Sequence, residues 1–224
     1  MKIENVHTYG WADAIRSMRN PLNSWNRIDS KTECDPVYGS TTNLEIGEND
    51  AKLIKALTIG GHPHRKFLRQ IFVTFDITMP SYVWAEFDTY KVSTVRNSCS
   101  FQHKGTAKEF ELSDFTIDDN HKENEIYEDI FIELDNHWDN TISIINKLRD
   151  KYNETKDYKY FRAIRQILPS GYNYKATWSG NYESLLNMYF WRHEHKLIEW
   201  HEFCDIMLEK IPYLKELITL DKST

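Results

Sequence analysis

The segment from Arg162 to Glu202 constrains the fold more than any other part of the chain. Arg165 precedes an Ile-Leu-Pro turn, and an aromatic, polar connector then leads to a long predicted helix that carries Asn187 and Arg192. A guanidinium group can bind a phosphate or the edge of a pyrimidine ring through two parallel hydrogen bonds. Each arginine alone is typical of a solvated helix surface, but their order and context together predict a site for a small anionic ligand.

Composition limits the class of protein. The 224 residues suit one domain with a sizeable core, so we predict a single domain over residues 1–224. Hydrophobic residues make up 40% of the chain and aromatic residues 14%, which is typical of a folded globular protein. A net charge of −6 argues against a broad nucleic-acid surface, although a small basic pocket is compatible with it.

Three cysteines, Cys34, Cys99 and Cys204, are far apart and form no CxxC pair, which indicates free thiols in a reducing compartment. The N-terminal residues lack a basic-then-apolar signal, and no run approaches the roughly 20 apolar residues that span a bilayer. We therefore expect a cytoplasmic location and no membrane partner.

Hydrophobic periodicity predicts an α+β protein in which helices predominate. Residues 91–101 fit neither pattern, and a strand or turn is expected to begin at Phe110. The other predicted elements are an edge strand at 1–7, helices at 11–18 and 48–57, a loop at 20–47, a strand at 67–79, helices at 82–90, 123–152 and 157–167, and a last long helix that has Asn181 as its N-cap and runs toward Pro212.

The C-terminal half resembles the flavin-dependent thymidylate synthases, the ThyX family. The sequence Arg165-Gln166-Ile167-Leu168-Pro169 and the segment from Leu185 to Arg192 follow the family pattern, with Asn181 and Asn187 in register. The loop at Gly60-Gly61-His62 and the strand after it are similar to the family's Gly-His loop and first long strand. The resemblance covers nearly the whole chain and implies helices packed on a mainly antiparallel sheet.

The family's signature motif departs from its pattern in residues 88–101. Asp88-Thr89-Tyr90 stands where the family has Arg-His-Arg, and only the two serines Ser93 and Ser98 survive. The family uses the missing residues to hold the flavin phosphates, and an aspartate repels a diphosphate. Small donors from 98 to 100 lie beside Arg96, a pattern that favours a phosphate-binding loop.

The resemblance implies a reaction and a set of site residues. The family transfers a one-carbon unit from methylenetetrahydrofolate to deoxyuridine monophosphate (dUMP) with FAD as cofactor, and it assembles as a homotetramer. It implies that Arg165, Arg192 and Ser98 bind the nucleotide, to which the residue pattern adds Arg96. The resemblance also implies that Asn181, Asn187 and His62 contact the flavin. No catalytic residue is assigned.

Two alternatives remain open at the level of sequence. The chain is compatible with a non-catalytic protein that binds or sequesters a nucleotide, or with an enzyme acting on a modified pyrimidine nucleotide. Metal chemistry is disfavoured: His195 and Glu199 share a helical face, but the chain has no HExxH motif, and we predict no metal site.

Overall fold

The computed structural model describes residues 1–117 and 129–221, and the statements below refer to those residues. The strands are β1 (Lys2–Tyr9), β2 (Lys31–Cys34), β3 (Thr41–Glu45), β4 (Phe72–Pro80), β5 (Val95–Ser98) and β6 (Asn173–Asn181). The helices are α1 (Trp11–Ser17), α2 (Glu48–Ile59), α3 (Ser81–Phe87), α4 (Phe101–Lys104), α5 (Asp129–Thr155), α6 (Tyr158–Ile167), α7 (Tyr182–Arg192), α8 (Ile198–Lys210) and α9 (Leu214–Asp221).

The main sheet has four strands in the order β1-β4-β6-β5, so the predicted N-terminal strand is indeed an edge strand. In β4 the predicted alternation is realised, because Val73, Phe75, Ile77 and Met79 are all fully buried. The three residues between them are half-buried. Phe72, which begins the strand, is exposed. One face of β4 is therefore sealed in the core and the other is partly covered.

The described chain divides into two compact units. We name the first the sheet unit (Met1–Ile77, Asp88–Asn97 and Ala176–Thr224) and the second the helical unit (Thr78–Phe87 and Ser98–Lys175). The prediction of a single domain over residues 1–224 stays a prediction. No helix within 1–117 or 129–221 combines the length and apolarity that a membrane crossing requires.

Aromatic side chains fill the core of the sheet unit. Phe75 of β4 stacks on Trp178 of β6 with ring centroids 5.0 Å apart, and Trp11 of α1 meets Tyr182 of α7 edge-on at 5.2 Å. Burial strongly raises the pKa of the Tyr182 hydroxyl. These contacts fix the start of α7 against α1 and the sheet.

The helical unit is built around the long helix α5 and its neighbour α6. Its core contains Phe110, Phe115, Ile145 and Ile164, all buried. The apolar stripe predicted for 123–152 is used here, since Trp138, Ile142 and Leu148 of α5 pack against that core. The first residues of the predicted helix, 123–128, lie outside the described residues.

Three local predictions were wrong. The predicted loop at 20–47 contains the antiparallel hairpin β2–β3, which pairs Lys31 with Glu45 and is polar and largely exposed on both faces. A 3-10 helix occupies Lys66–Gln70, so β4 starts later than predicted, and the aromatic connector is strand β6. At Phe110, where a strand or a turn was predicted, no strand begins, and the chain makes a 3-10 turn at Leu112–Asp114.

The predicted last helix is divided into α7 and α8. Between them the Nδ1 atom of His195 accepts a hydrogen bond from the Leu197 backbone N–H at 3.2 Å, and the His201 ring contacts the His195 carbonyl oxygen at 2.6 Å. Side chains that bond to nearby backbone compete with the helical ladder. The helix stops at Arg192 because these local bonds replace the helical ones.

Candidate functional site

A cavity of about 690 Å³ lies in the sheet unit. It has the size of a small-molecule binding site. The residues that line it come from the loop and 3-10 helix after α2, the loop between α3 and β5, and the first three turns of α7. They are His62, Arg69, Thr89, Tyr90, Lys91, Val92, Ser93, Asn181, Glu183, Ser184, Asn187 and Trp191. Three of the predicted site residues, His62, Asn181 and Asn187, therefore line one cavity.

The N-terminus of α7 forms one wall. Asn181 is the N-cap, as predicted: its Oδ1 atom accepts hydrogen bonds from the Ser184 backbone N–H at 2.9 Å and from the Ser184 hydroxyl at 3.2 Å. Because the oxygen is used by the cap, the amide nitrogen is the part of Asn181 suited to donate to a ligand. Asn187 follows on the same helix and adds a second carboxamide to the wall.

A buried carboxylate lies behind this wall, and sequence reasoning missed it. Glu183 is only 4% exposed. Its Oε1 atom is 2.7 Å from His62 Nδ1 and 3.4 Å from Arg65 Nε, while Arg69 Nε–H donates to Oε2. In sequence, Glu183 resembles an ordinary acidic residue in the first turn of a helix, where the macrodipole favours it. Its three basic partners become neighbours only in the folded chain.

The same contacts select one tautomer of a neutral His62 ring. Arg69 Nη2 lies 3.0 Å from His62 Nε2, and an arginine can only donate. The Nε2 atom therefore accepts, and the proton of the neutral ring is on Nδ1, where it faces Glu183. Arg69 in turn is stabilised in its charged form, because the hydrogen bond and the charge of Glu183 raise its pKa.

Arg192 reaches the cavity wall through a tyrosine. Its Nε–H donates to the Tyr90 hydroxyl at 2.9 Å. Its guanidinium carbon lies 4.7 Å from the Trp200 ring centroid and 5.5 Å from that of Tyr90. The two rings and the hydroxyl restrict the guanidinium plane, so the group is preorganised. Tyr90, which stands in the altered signature, is a lining residue that the sequence did not predict.

Arg165 has an environment of the same kind in the helical unit. Its Nη1 donates to the Tyr174 hydroxyl at 2.8 Å, and its guanidinium carbon lies 4.9 Å from the Phe101 ring centroid. Arg165 is exposed at the end of α6. Arg165 and Arg192 belong to different units, so the binding of one ligand by both side chains stays a prediction.

Comparisons with known proteins agree with the resemblance. Residues 12–213 match the sequence model of the Thy1 family, described as thymidylate synthase complementing protein. The chain belongs to the Thy1 family. No curated protein sequence is similar enough to this chain to count as a match.

Two solved structures share the fold of this Thy1-family chain. Both are flavin-dependent thymidylate synthase ThyX from Helicobacter pylori with FAD and dUMP. One has a TM-score of 0.66 at 17% identity over 100% of this chain and 99% of its own. The other has 0.68 at 16% identity over 99% of this chain and 100% of its own. The predicted fold, helices on a mainly antiparallel sheet, is confirmed.

The Thy1 signature region is split between two environments. Ser93 lines the cavity in a left-handed conformation with a φ of 59°, at a turn where the Thr94 hydroxyl donates to the Tyr90 carbonyl oxygen. Arg96 forms an ion pair with Asp88 at 2.9 Å, and Ser98 is exposed at the end of β5. Neither Arg96 nor Ser98 lines the cavity, so their binding roles stay predictions.

The histidines that follow α7 in this Thy1-family chain are used in local structure. His193 stacks on Tyr189 with ring centroids 4.9 Å apart, and His201 contacts a backbone oxygen. Within the part of the chain that the structure describes, no group of three or more His, Cys, Asp or Glu side chains could hold a metal ion.

Proposed function

We propose that this chain binds a flavin and a pyrimidine deoxynucleotide of the dUMP type, and methylates the nucleotide with methylenetetrahydrofolate. One observation carries the proposal: His62, Asn181 and Asn187, the residues that the family pattern assigns to the flavin, line a single cavity of about 690 Å³. The two solved structures of Helicobacter pylori ThyX, which share this fold, contain FAD and dUMP, and this supports the choice of ligands.

The donor set of the cavity suits a flavin. The carboxamides of Asn181 and Asn187 match the alternating N–H and C=O groups at the edge of a flavin ring. The indole of Trp191 is 78% exposed at the wall and offers a flat apolar face for stacking. Arg69 and Lys91 add positive charge for phosphate groups. The cavity therefore has the chemistry for both the ring and the anionic tail.

The residues of the chain would bind and orient rather than react. FAD, when bound, supplies the hydride chemistry of the family. Arg192, held between Tyr90 and Trp200, and Arg165, held by Tyr174, each present a guanidinium group of fixed plane to the nucleotide. Asn181 and Asn187 would fix the flavin edge, and Trp191 would exclude water from one face of the ring.

A direct experiment tests the proposal. The full-length protein is purified, and bound flavin is measured by visible absorbance before and after addition of FAD, while dUMP binding is measured by calorimetry. We expect flavin at near-stoichiometric occupancy, dUMP binding, and formation of deoxythymidine monophosphate with methylenetetrahydrofolate and a reductant. A protein that takes up neither FAD nor dUMP would contradict the proposal.

A second candidate is a nucleotide-binding protein without flavin chemistry. The observation that favours it is Asp88, which replaces an arginine of the family signature and forms an ion pair with Arg96. The negative charge and its internal partner remove one anion-binding group from this region. A colourless protein that binds dUMP with unchanged affinity in the presence of FAD would support this candidate over the enzyme.

We also propose a homotetramer in the cytoplasm, as in the family that the sequence resembles. Val92 and Trp191 are 83% and 78% exposed at the cavity wall, and exposed apolar side chains at a site are suited to cover by a second copy. Light scattering after size-exclusion chromatography tests the assembly. A monomer at micromolar concentration would contradict it.

A further inference from the structure

Three basic side chains surround the buried carboxylate of Glu183, and two of them also line the cavity. Arg65 and Arg69 together carry two positive charges against the single negative charge of Glu183. Lys91 adds another cation to the lining, and no other carboxylate is among the lining residues. This side of the cavity therefore has a positive balance even when His62 is neutral.

The cluster is arranged so that Glu183 holds the cations without cancelling them. The Glu183 side chain is 6% exposed, whereas the side chains of Arg69 and His62 are 43% and 65% exposed. The acid thus lies behind the bases, and the bases face the cavity. Arg69 binds Glu183 through Nε and His62 through Nη2, so two contacts fix the plane of its guanidinium group.

The backbone adds to the same potential. Glu183 and Ser184 are in the first turn of α7, an 11-residue helix whose N-terminal end forms part of the cavity wall. Backbone N–H groups and the helix macrodipole at such an end favour an anion. The arginine pair and the helix end therefore act in the same direction.

We propose that Arg69, braced by Glu183 and His62 and assisted by Lys91, forms a subsite for the phosphate group of the bound ligand. The subsite would supply the anion-binding capacity that the chain lost when Asp88-Thr89-Tyr90 replaced Arg-His-Arg. This inference rests on the proposed function for the identity of the ligand. The shared chemistry is a phosphate ester, which either a flavin tail or a nucleotide provides.

The test compares ligands that differ only in phosphate. The affinities of the full-length protein for riboflavin and riboflavin 5′-phosphate, and for deoxyuridine and dUMP, are measured by calorimetry. We expect the phosphate to increase affinity by about 10- to 100-fold in one pair or both, the worth of a charged hydrogen bond. The pair that shows the increase identifies whether the subsite takes the flavin tail or the nucleotide.

Two variants assign the effect to the cluster. In Arg69→Gln we expect most of the phosphate advantage to disappear, with the affinity for the phosphate-free partner unchanged. In Glu183→Gln we expect a smaller loss, because Arg69 keeps its charge but loses its brace. If Glu183→Gln does not fold, Arg69→Gln still decides, since Arg69 is half-exposed. Arg27→Gln, at an exposed arginine outside the cavity, is the matched control.

Inorganic pyrophosphate separates this inference from the proposed function. We expect pyrophosphate to raise the thermal unfolding midpoint of the wild type and Arg27→Gln, but not of Arg69→Gln. Such a result without flavin or nucleotide binding would leave the subsite standing and reject the proposed function. Equal binding of the phosphorylated and phosphate-free ligands, or an equal pyrophosphate shift in Arg69→Gln and Arg27→Gln, would overturn the subsite.

Discussion

Replacing Arg192 by alanine tests the proposed nucleotide site most directly. This guanidinium donates a hydrogen bond to Tyr90 at 2.9 Å and stacks on the rings of Trp200 and Tyr90. These contacts engage Nε and the face of the guanidinium group, so they restrict its plane. A charged hydrogen bond from such a group contributes about 1.5–3 kcal/mol to binding. Loss of it should raise the Kd for dUMP by about 10- to 150-fold.

Two companion variants separate charge from geometry. Arg192→Lys keeps the positive charge but loses the planar group that lies over Trp200, so we expect a Kd between those of the wild type and Arg192→Ala. Tyr90→Phe keeps both rings and removes only the hydroxyl that accepts from Arg192. We expect it to weaken dUMP binding less than Arg192→Ala, because the stacking on Trp200 remains.

The assay is calorimetric titration with dUMP at a temperature where thermal unfolding curves show every variant to be folded. Removing the stacked cation also costs the folded state about 0.5–2 kcal/mol, so stability must be measured alongside binding. Arg162→Ala, at an exposed arginine of α6, is the control for a general loss of positive charge. The reasoning is refuted if Arg192→Ala binds dUMP as tightly as Arg162→Ala does.

Three further predictions concern stability and can be checked by thermal and denaturant unfolding. Asp50 is fully buried and accepts hydrogen bonds from Arg19 Nε at 2.9 Å and from the backbone N–H groups of Asp29 and Ser30. Asp50→Asn should therefore lower the free energy of unfolding by about 3–5 kcal/mol, since Arg19 keeps a buried charge without its counter-ion. The exposed Asp205→Asn serves as control, and an equal effect in both would contradict this. Burial acts to raise the pKa of Asp50, but the hydrogen bonds outweigh it and leave the pKa below the ordinary value of 3.8. Its contribution is thus complete only well above the unfolded pKa and is lost as the pH falls through the folded pKa, so the acid limb of the stability curve should flatten in Asp50→Asn. Asn181→Ala should lose about 1 kcal/mol of stability through the helix cap, whereas Asn181→Ser should keep the cap and still weaken flavin binding; equal stability in both variants would argue against the cap. Gly10 has a φ of 83°, and a Cβ there would collide with the Gln70 carbonyl oxygen, so Gly10→Ala should be destabilising while Gly39→Ala, at a similar φ with open space around it, should cost less.

The sequence by itself determined the elements whose side chains repeat with a clear period. The alternation in β4 and the apolar stripe of α5 depend on one buried face, which hydrophobic spacing records directly. The Asn181 cap and the family resemblance were likewise readable, because a cap and a motif are local patterns. The polar hairpin β2–β3 carries no such period and was missed; β6 was missed although Tyr174, Ala176 and Trp178 alternate along it.

The tertiary structure decided which polar groups share a site. Glu183 is far from His62, Arg65 and Arg69 in sequence, and only the packing of α7 brings their charges within bonding distance. In the sequence Tyr90 is only a departure from the family's signature motif. In the structure its hydroxyl accepts a hydrogen bond from Arg192. The spacing of residues within one helix or strand follows directly from the sequence. The ion pairs of a side chain depend instead on which segments pack together in the core. The cations around Glu183 therefore could not be anticipated from the order of residues.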